Sequence, residues 1–159
     1  MSKMKIEGSF VALITPFAKD GSPDFGAFRE LLDFQERHGT SAVLIMGSTG
    51  EVSMLSQKER EAIILETAKM KTGKMKLFYG CTGNNTEATM DYLRFARANG
   101  ADGAILAAPA YICAPEADIE SYFLEVADET DLPLGIYNNP PRVKSDLHWD
   151  SLLRIFKNP

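Results

Sequence analysis

Segments that favour strands and segments that favour helices alternate along the whole chain of 159 residues. Short apolar runs are each followed by a stretch in which apolar residues recur at helical spacing. Five strands are predicted, at residues 10–14, 42–46, 77–79, 104–108 and 132–137. Strands in strict βα order imply parallel pairing through right-handed crossovers, because a parallel neighbour is reached only by a long connection. The sequence therefore predicts an α/β fold.

The helices between these strands begin and end at recognisable signals. Ser56 and Glu59 have the spacing of a capping box at the start of the second helix, and a last helix is predicted at residues 149–157. A doubly wound open sheet and a β/α barrel both satisfy this alternation. The first βα turn, residues 15–18, lacks the glycine pattern of dinucleotide-binding folds, and no P-loop occurs. Periodicity alone leaves the choice between the two architectures open.

Composition excludes several classes of protein. The net charge of −5 argues against a nucleic-acid partner, which needs a basic face. No apolar run approaches the ~20 residues that span a bilayer, and no signal-type core follows the amino terminus. We therefore expect a soluble cytoplasmic protein that binds neither nucleic acid nor membrane. Cys81 and Cys113 are expected to be reduced and mostly buried thiols, and His38 and His148 lack partners at metal-ligand spacing, so no metal site is predicted.

Residues that can carry chemistry follow three of the predicted strands. Ser48 and Thr49 lie in a glycine-rich turn after the second strand, where hydroxyls and backbone N–H groups suit a carboxylate. Tyr111 follows the fourth strand and Tyr137 ends the fifth, and Arg142 comes soon after in a loop that Pro140 and Pro141 are expected to stiffen. Taken singly, these could be an ordinary turn, packed aromatic residues and a surface arginine. Together they fall at the carboxyl ends of parallel strands, where barrel active sites are built.

Four motifs bring in a resemblance to a known family. They are Ala12-Leu13-Ile14-Thr15-Pro16-Phe17, Gly47-Ser48-Thr49-Gly50-Glu51 with Leu55-Ser56 and Glu59-Arg60 after it, Pro109-Ala110-Tyr111, and Tyr137-Asn138-Asn139-Pro140-Pro141-Arg142. Together they resemble the amino-terminal part of the dihydrodipicolinate synthase / N-acetylneuraminate lyase family of pyruvate-dependent class I aldolases. The resemblance covers essentially the whole chain. It implies a parallel (β/α)8 TIM barrel, of which residues 1–159 are the first five βα units of a single domain.

The resemblance also implies a role for each candidate residue. Thr49 would bind the pyruvate carboxylate, and Ser48 would link two phenols in a proton relay. Tyr137 would be the central acid/base, and Tyr111 the relay phenol that reaches into a neighbouring subunit's site. Arg142 would hold the carboxylate of the aldehyde substrate, which favours the synthase branch over the sialic-acid lyase branch. Ser48 is less decisive, since the synthase more often has threonine at that place.

The family's nucleophile is expected to be missing. That nucleophile is a lysine at the end of the sixth strand, whose amine forms a Schiff base with pyruvate, and the sequence ends at Pro159, before such a strand. Strands six to eight and the helical extension are thus expected to be absent. Lys76 opens the third strand at the wrong end, and Lys144 lies in the loop after the fifth, so neither is expected to replace it.

The expected function follows from this resemblance. The parent protein would be a lyase that condenses pyruvate with aspartate semialdehyde in lysine biosynthesis, without metal or organic cofactor and as a homo-oligomer, dimer or tetramer. The isolated chain is expected to be inactive. Another family aldolase or dehydratase acting on a sugar acid, of N-acetylneuraminate lyase or keto-deoxy-sugar-acid type, is the alternative within the class. A non-catalytic half-barrel that dimerises or binds a small carboxylate is the alternative outside it.

Overall fold

The structure is a computed structural model that describes residues 7–110 and 112–157. Its strands are β1 (Phe10–Ala12), β2 (Ala42–Ile45), β3 (Lys76–Gly80), β4 (Gly103–Leu106) and β5 (Leu134–Ile136). Its helices are α1 (Phe25–Arg37), α2 (Gln57–Lys69), α3 (Thr86–Ala98), α4 (Glu116–Asp128), α5 (Pro140–Val143) and α6 (Trp149–Lys157), with a 3-10 turn at Val52–Met54.

All five strands form one parallel sheet in the order β1-β2-β3-β4-β5. Each strand pairs with the strand that precedes it in the chain, so the order never reverses as it does at the switch point of a doubly wound sheet. Right-handed crossovers that always advance in one direction place the helices on one face. The sheet is therefore a curled half-barrel, and the architecture left open by periodicity is the barrel type.

The core lies between the outer face of this sheet and the helices. Alternate residues of the central strands point outward and are almost fully buried, and the helices bury their apolar side chains against them. The largest of these side chains are Tyr79, Phe28, Ile45, Met46, Ile63, Ile64, Leu77, Leu93, Leu106, Ile119, Val43 and Val126. Burying a side chain of this kind contributes roughly 1.5–3 kcal/mol, so this outer layer carries most of the stability.

The inner face of the sheet is open by comparison. Phe10 and Phe78 pack with ring centroids 5.0 Å apart, and Phe78 is only 3% exposed. Phe10 itself is 41% exposed and Ile14 is 57% exposed, although both are apolar. An apolar face of this kind is normally covered. The inner layer is thus only partly filled by the described residues.

A cavity of about 500 Å³ lies beside β5, between α4 and α6. Leu134 and Ile136 of β5 line it together with Phe156 of α6, which is 66% exposed. Helix α6 is held to α4 by polar contacts, because Arg154 donates two hydrogen bonds to the Glu120 carboxylate at 2.6 and 2.7 Å. The edge of the sheet at β5 therefore combines a strand that is paired on one side only with apolar surface.

Most of the predicted elements are confirmed, and two expectations were wrong. The capping box forms, and α6 has the predicted bounds. Residues 140–143, expected to be a proline-stiffened loop, form the short helix α5, because proline suits the first helical position. Cys81 is buried, and its burial raises the pKa of the thiol to about 12. Cys113 is exposed, contrary to expectation, because it lies outside the strands and helices of the core.

Within the described residues, no helix is both long enough and apolar enough to cross a membrane.

Candidate active site

The β2 turn, residues 47–51, carries the two predicted hydroxyls at its tip. Ser48 and Thr49 are both exposed, whereas Gly47 and Gly50 beside them are buried. The turn closes on itself, since the Gly50 N–H donates to the Gly47 carbonyl at 3.0 Å and the Glu51 N–H to the Ser48 carbonyl at 3.3 Å. The exposed hydroxyls are thus presented by a compact backbone rather than by a free loop.

Unusual backbone conformations flank the β2 turn. Met46 has φ 59° and Glu51 has φ 54°, which is the left-handed region that side chains other than glycine rarely adopt. Such conformations cost of order 1–3 kcal/mol each, and they cluster at functional sites. The next strand approaches closely here, because a Cβ on Gly80 would lie 1.9 Å from the Met46 carbonyl oxygen. Packing therefore holds a strained turn in place.

Two side chains from other elements anchor the β2 turn. The buried hydroxyl of Thr15 donates to the Gly50 carbonyl at 2.6 Å. The Arg60 guanidinium donates to the carbonyls of Val52 at 2.8 Å, Leu55 at 3.3 Å and Thr82 at 3.3 Å. Because Val52 and Leu55 follow the turn and Thr82 follows β3, this guanidinium ties the two loops together. It also lies 4.9 Å from the centroid of the Tyr92 ring, a cation–π distance.

The β5 loop, residues 137–142, presents the predicted phenol and guanidinium. Tyr137 is 40% exposed, and the side-chain amide of Asn139 donates to its phenol oxygen at 2.5 Å. The pKa of Tyr137 is lowered from its ordinary value, first by the Asn139 amide, then by the Ser48 hydroxyl, with the charge and hydrogen bonding of Arg142 also contributing. Donors and a cation stabilise the phenolate relative to the neutral phenol, which explains the direction of this shift.

The structure thus brings three of the predicted residues together. Ser48 follows β2 and Tyr137 follows β5, two intervening strands apart, yet the Ser48 hydroxyl and the Arg142 guanidinium are both close enough to lower the pKa of Tyr137. Thr49 is exposed beside Ser48 in the same turn. Tyr111 falls outside the described residues, so the prediction of a second relay phenol stays a prediction.

Three further residues that shape the site were missed or given no role from the sequence. Thr15 belongs to the motif at the end of the first strand, and Arg60 belongs to the motif after the β2 turn, but neither motif indicates a carbonyl partner distant in the chain. Asn139 follows Tyr137 by two residues, a spacing that could suggest contact. Asn139 is preceded by another asparagine and followed by two prolines, and this composition is typical of an ordinary turn.

The described residues contain no cluster of three or more histidine, cysteine, aspartate or glutamate side chains able to hold a metal ion. The two lysines considered as substitutes for the nucleophile lie in different parts of the fold. Lys76 begins β3, at the opposite end of the sheet, and its amine pairs with the Asp102 carboxylate at 3.3 Å. Lys144 caps α5 in a left-handed conformation with φ 57°.

Comparisons with known proteins agree with this geometry. A family model described as the dihydrodipicolinate synthetase family matches residues 5–159. The 4-hydroxy-tetrahydrodipicolinate synthase of Hydrogenobaculum sp. (strain Y04AAS1) is 36% identical over 153 residues, which are 96% of this chain and 52% of that protein. The chain therefore spans about half the length of the curated relatives it matches.

Solved structures give the same picture. The crystal structure of dihydrodipicolinate synthase from Aquifex aeolicus superimposes with a TM-score of 0.91 at 35% identity, over 96% of this chain and 52% of that one. The chloride-inhibited dihydrodipicolinate synthase from Acinetobacter baumannii, complexed with pyruvate, superimposes with a TM-score of 0.93 at 31% identity, over 98% of this chain and 53% of that one. The half-barrel is thus similar to one half of these TIM barrels.

Proposed function

Because the chain belongs to the dihydrodipicolinate synthetase family, we propose that it forms part of a lyase that condenses pyruvate with aspartate semialdehyde through a Schiff base. The observation that supports this most strongly is the meeting of Ser48 with Tyr137, whose pKa is lowered by its donors. A hydroxyl and a polarised phenol at the carboxyl ends of two barrel strands form a short proton relay. The reaction belongs to lysine biosynthesis and needs no metal or organic cofactor.

Each polar group has a place in this chemistry. The Thr49 hydroxyl and the amides at the tip of the β2 turn bind the pyruvate carboxylate, because that turn is exposed and its backbone is fixed by Thr15 and Arg60. An amine then attacks the ketone carbon of pyruvate and gives a carbinolamine. Tyr137 donates its proton to the departing hydroxyl, which leaves as water while the imine forms, and the phenol is reprotonated through Ser48.

Arg142 supplies the second substrate contact. Its guanidinium is exposed beside Tyr137 in the last turn of α5, and a planar guanidinium can bind a carboxylate through two parallel hydrogen bonds. An aldehyde that carries a carboxylate would be held there with its carbonyl near the bound pyruvate. This contact favours the synthase over an aldolase or dehydratase for sugar acids, the second candidate. That candidate is kept because position 48 holds serine rather than the threonine more frequent in the synthase.

The Schiff-base lysine is the part that the described residues do not provide. We propose that it lies in the barrel half that the relatives have and this sequence does not include. The whole protein would then be a cytoplasmic homo-oligomer, a dimer or tetramer, in which Tyr111 acts as the second relay phenol.

Borohydride trapping tests the proposal. The chain is incubated with pyruvate, reduced with borohydride and weighed by mass spectrometry, alone and as a fusion carrying the remaining barrel strands of a relative. We expect a covalent pyruvate adduct in the fusion and none in the chain alone, with synthase turnover only in the fusion. A trapped adduct on the chain alone would show that another lysine serves. A folded fusion that never forms the adduct would instead favour the non-catalytic half-barrel.

A further inference from the structure

The Asn139 side chain contacts the central phenol of the site. Its amide nitrogen donates to the Tyr137 phenol oxygen at 2.5 Å. The backbone of the same residue is fixed, because its carbonyl accepts the N–H groups of Arg142 at 3.0 Å and Val143 at 3.1 Å at the start of α5. A fixed backbone limits the rotamers that the side chain can adopt. The amide is therefore a built contact of the phenol.

The neighbouring residue, Asn138, has different hydrogen-bond partners. The Asn138 amide donates to the Asp146 carboxylate at 2.8 Å and to the Leu147 carbonyl at 3.2 Å, and its oxygen accepts the Leu147 N–H at 3.4 Å. These contacts join the β5 loop to the segment before α6. Asn138 thus fastens the loop, whereas Asn139 faces the phenol. The pair gives two adjacent residues of identical chemistry with separate partners.

An amide N–H can donate a hydrogen bond but cannot accept one. When it occupies a lone pair of the phenol oxygen, the hydrogen of the phenol must point to another partner, and the Ser48 hydroxyl is close enough to act on the pKa of this phenol. We infer that Asn139 is a positioning residue: its N–H occupies one side of the Tyr137 oxygen, so the phenol proton points toward Ser48 in the resting site and is given to the carbinolamine hydroxyl during the reaction, after which Ser48 returns a proton to the phenol. This inference deepens the proposed function and rests on it for the identity of the proton acceptor.

The electrostatics of the phenol agree with this assignment. The Asn139 amide is the largest cause of the lowered pKa of Tyr137, ahead of the Ser48 hydroxyl and the Arg142 charge. Among the described residues, Arg142 is the charged group that acts on this phenol. A donor to the phenol oxygen stabilises the phenolate more than the neutral phenol, because hydrogen bonds to ionised groups are about twice as strong. The same contact that directs the proton therefore also eases its release.

Titration of Tyr137 in the chain as it stands tests the inference without pyruvate or a nucleophile. The ring is labelled with carbon-13, its NMR signal is assigned with Tyr137→Phe, and the midpoint of its titration is measured. In Asn139→Ala the pKa should rise toward the ordinary tyrosine value. In Asn139→Asp, which keeps the side-chain shape, it should rise further, because a carboxylate cannot donate and adds a negative charge.

Asn138→Ala is the matched control, and it should leave the Tyr137 midpoint unchanged even if the chain becomes less stable. Wild-type titration in either folded Asn139 variant would overturn the inference, and so would an equal shift in Asn138→Ala. A failure of the lyase proposal leaves these titrations unaffected, because they require no substrate. If the fusion is active, its pH–rate profile should also shift to higher pH in Asn139→Ala.

Discussion

The β2 turn and the β5 loop present the two halves of the candidate site, and they are held very differently. The β2 turn follows a strand paired on both sides, and side chains from two other elements anchor it. The β5 loop follows an edge strand paired on one side only, and its tyrosine is 40% exposed. The β2 turn is therefore held from both sides by the described residues, whereas the β5 loop has one side open.

This difference follows from the number of neighbouring strands whose loops can contact each segment. A central strand places its turn among fixed loops, so three carbonyls converge on the Arg60 guanidinium. An edge strand exposes a row of unpaired N–H and C=O groups, and its loop can be contacted by a neighbouring strand's loop on one side only. The β5 loop compensates with contacts inside itself, chiefly between Asn139 and Tyr137. Substitutions that act on one half of the site and spare the other test whether the two halves are held differently.

Tyr137→Phe should have the largest effect, in the fusion that supplies the nucleophile. Removing a positioned acid/base group lowers the rate ~10²–10⁴-fold, and the loss should fall on kcat far more than on KM, because the substrate carboxylate is bound by the β2 turn. Steady-state kinetics with varied pyruvate measure both constants. A variant with nearly normal kcat would reduce Tyr137 to a packing residue.

Arg60→Met should have the next largest effect, and it acts on the loops after β2 and β3 while it spares the β5 loop. The substitution removes a charged donor from three carbonyls while keeping much of the apolar stem, which should lower the free energy of unfolding by about 2 kcal/mol. Pyruvate affinity should fall with it, because the strained turn loses an anchor. Urea unfolding and NMR titration with pyruvate measure the two effects.

Arg60→Lys is the matched control for charge. A lysine keeps the positive charge but cannot donate to three separated carbonyls with one planar group. It should therefore lose most of the same stability. If Arg60→Lys behaves as wild type, the guanidinium contributes only its charge, and the β2 turn is held by other contacts.

The sequence predicted the outer layer and the half-barrel more completely than it predicted the site. Helix bounds and the capping box follow from local patterns, which act over a few residues, whereas the barrel-type strand order was implied only by the family resemblance. The meeting of Ser48 with Tyr137 also follows, since both end parallel strands. The anchors Thr15 and Arg60 do not, because their partners are 35 and 22 residues away, at Gly50 and Thr82. Helix α5 was missed because two adjacent prolines suggest a rigid loop more strongly than a single helical turn.

The open edge of the sheet at β5 should make the chain self-associate in solution. Ile14 on the inner face and Phe156 beside the β5 cavity are exposed apolar side chains, and exposed apolar surface favours association. We expect the chain to self-associate in sedimentation velocity experiments. Phe156→Asp, at the rim of the cavity, should weaken association roughly five-fold, because it removes about 1 kcal/mol of burial. Leu65→Asp, on the outer face of α2, should not.

A compact and stable monomer of the wild-type chain at micromolar concentration would contradict this expectation. It would mean that the inner face closes on itself, and that the contrast between the two halves of the site is smaller than the described residues indicate.

Ser56→Ala should have the smallest effect, and it tests whether the start of α2 helps to hold the β2 turn. The Ser56 hydroxyl accepts the Glu59 N–H at 3.4 Å and donates to the Glu59 carboxylate at 2.6 Å, just beyond the β2 turn. Losing such a cap costs about 1 kcal/mol of unfolding free energy. Pyruvate affinity should stay unchanged, because Arg60 and Thr15 hold the turn without the cap. An affinity loss as large as that of Arg60→Met would show that α2 itself positions the turn.

The pH dependence of the unfolding free energy should distinguish the Ser56 cap of α2 from the Asn85 cap of α3. The Ser56 hydroxyl, followed by the Ser56 N–H, lowers the pKa of Glu59. A carboxyl with a depressed pKa stabilises the fold above its unfolded value of about 4.3, and this contribution disappears as the pH falls through the folded value. Ser56→Ala should therefore flatten the loss of stability on acidification. Asn85→Ala removes a cap on α3 whose amide oxygen accepts the Ala88 N–H at 2.8 Å, so it should cost similar stability and leave the acid slope unchanged. Equal slopes in the two variants would mean that the Ser56 hydroxyl does not control the titration of Glu59.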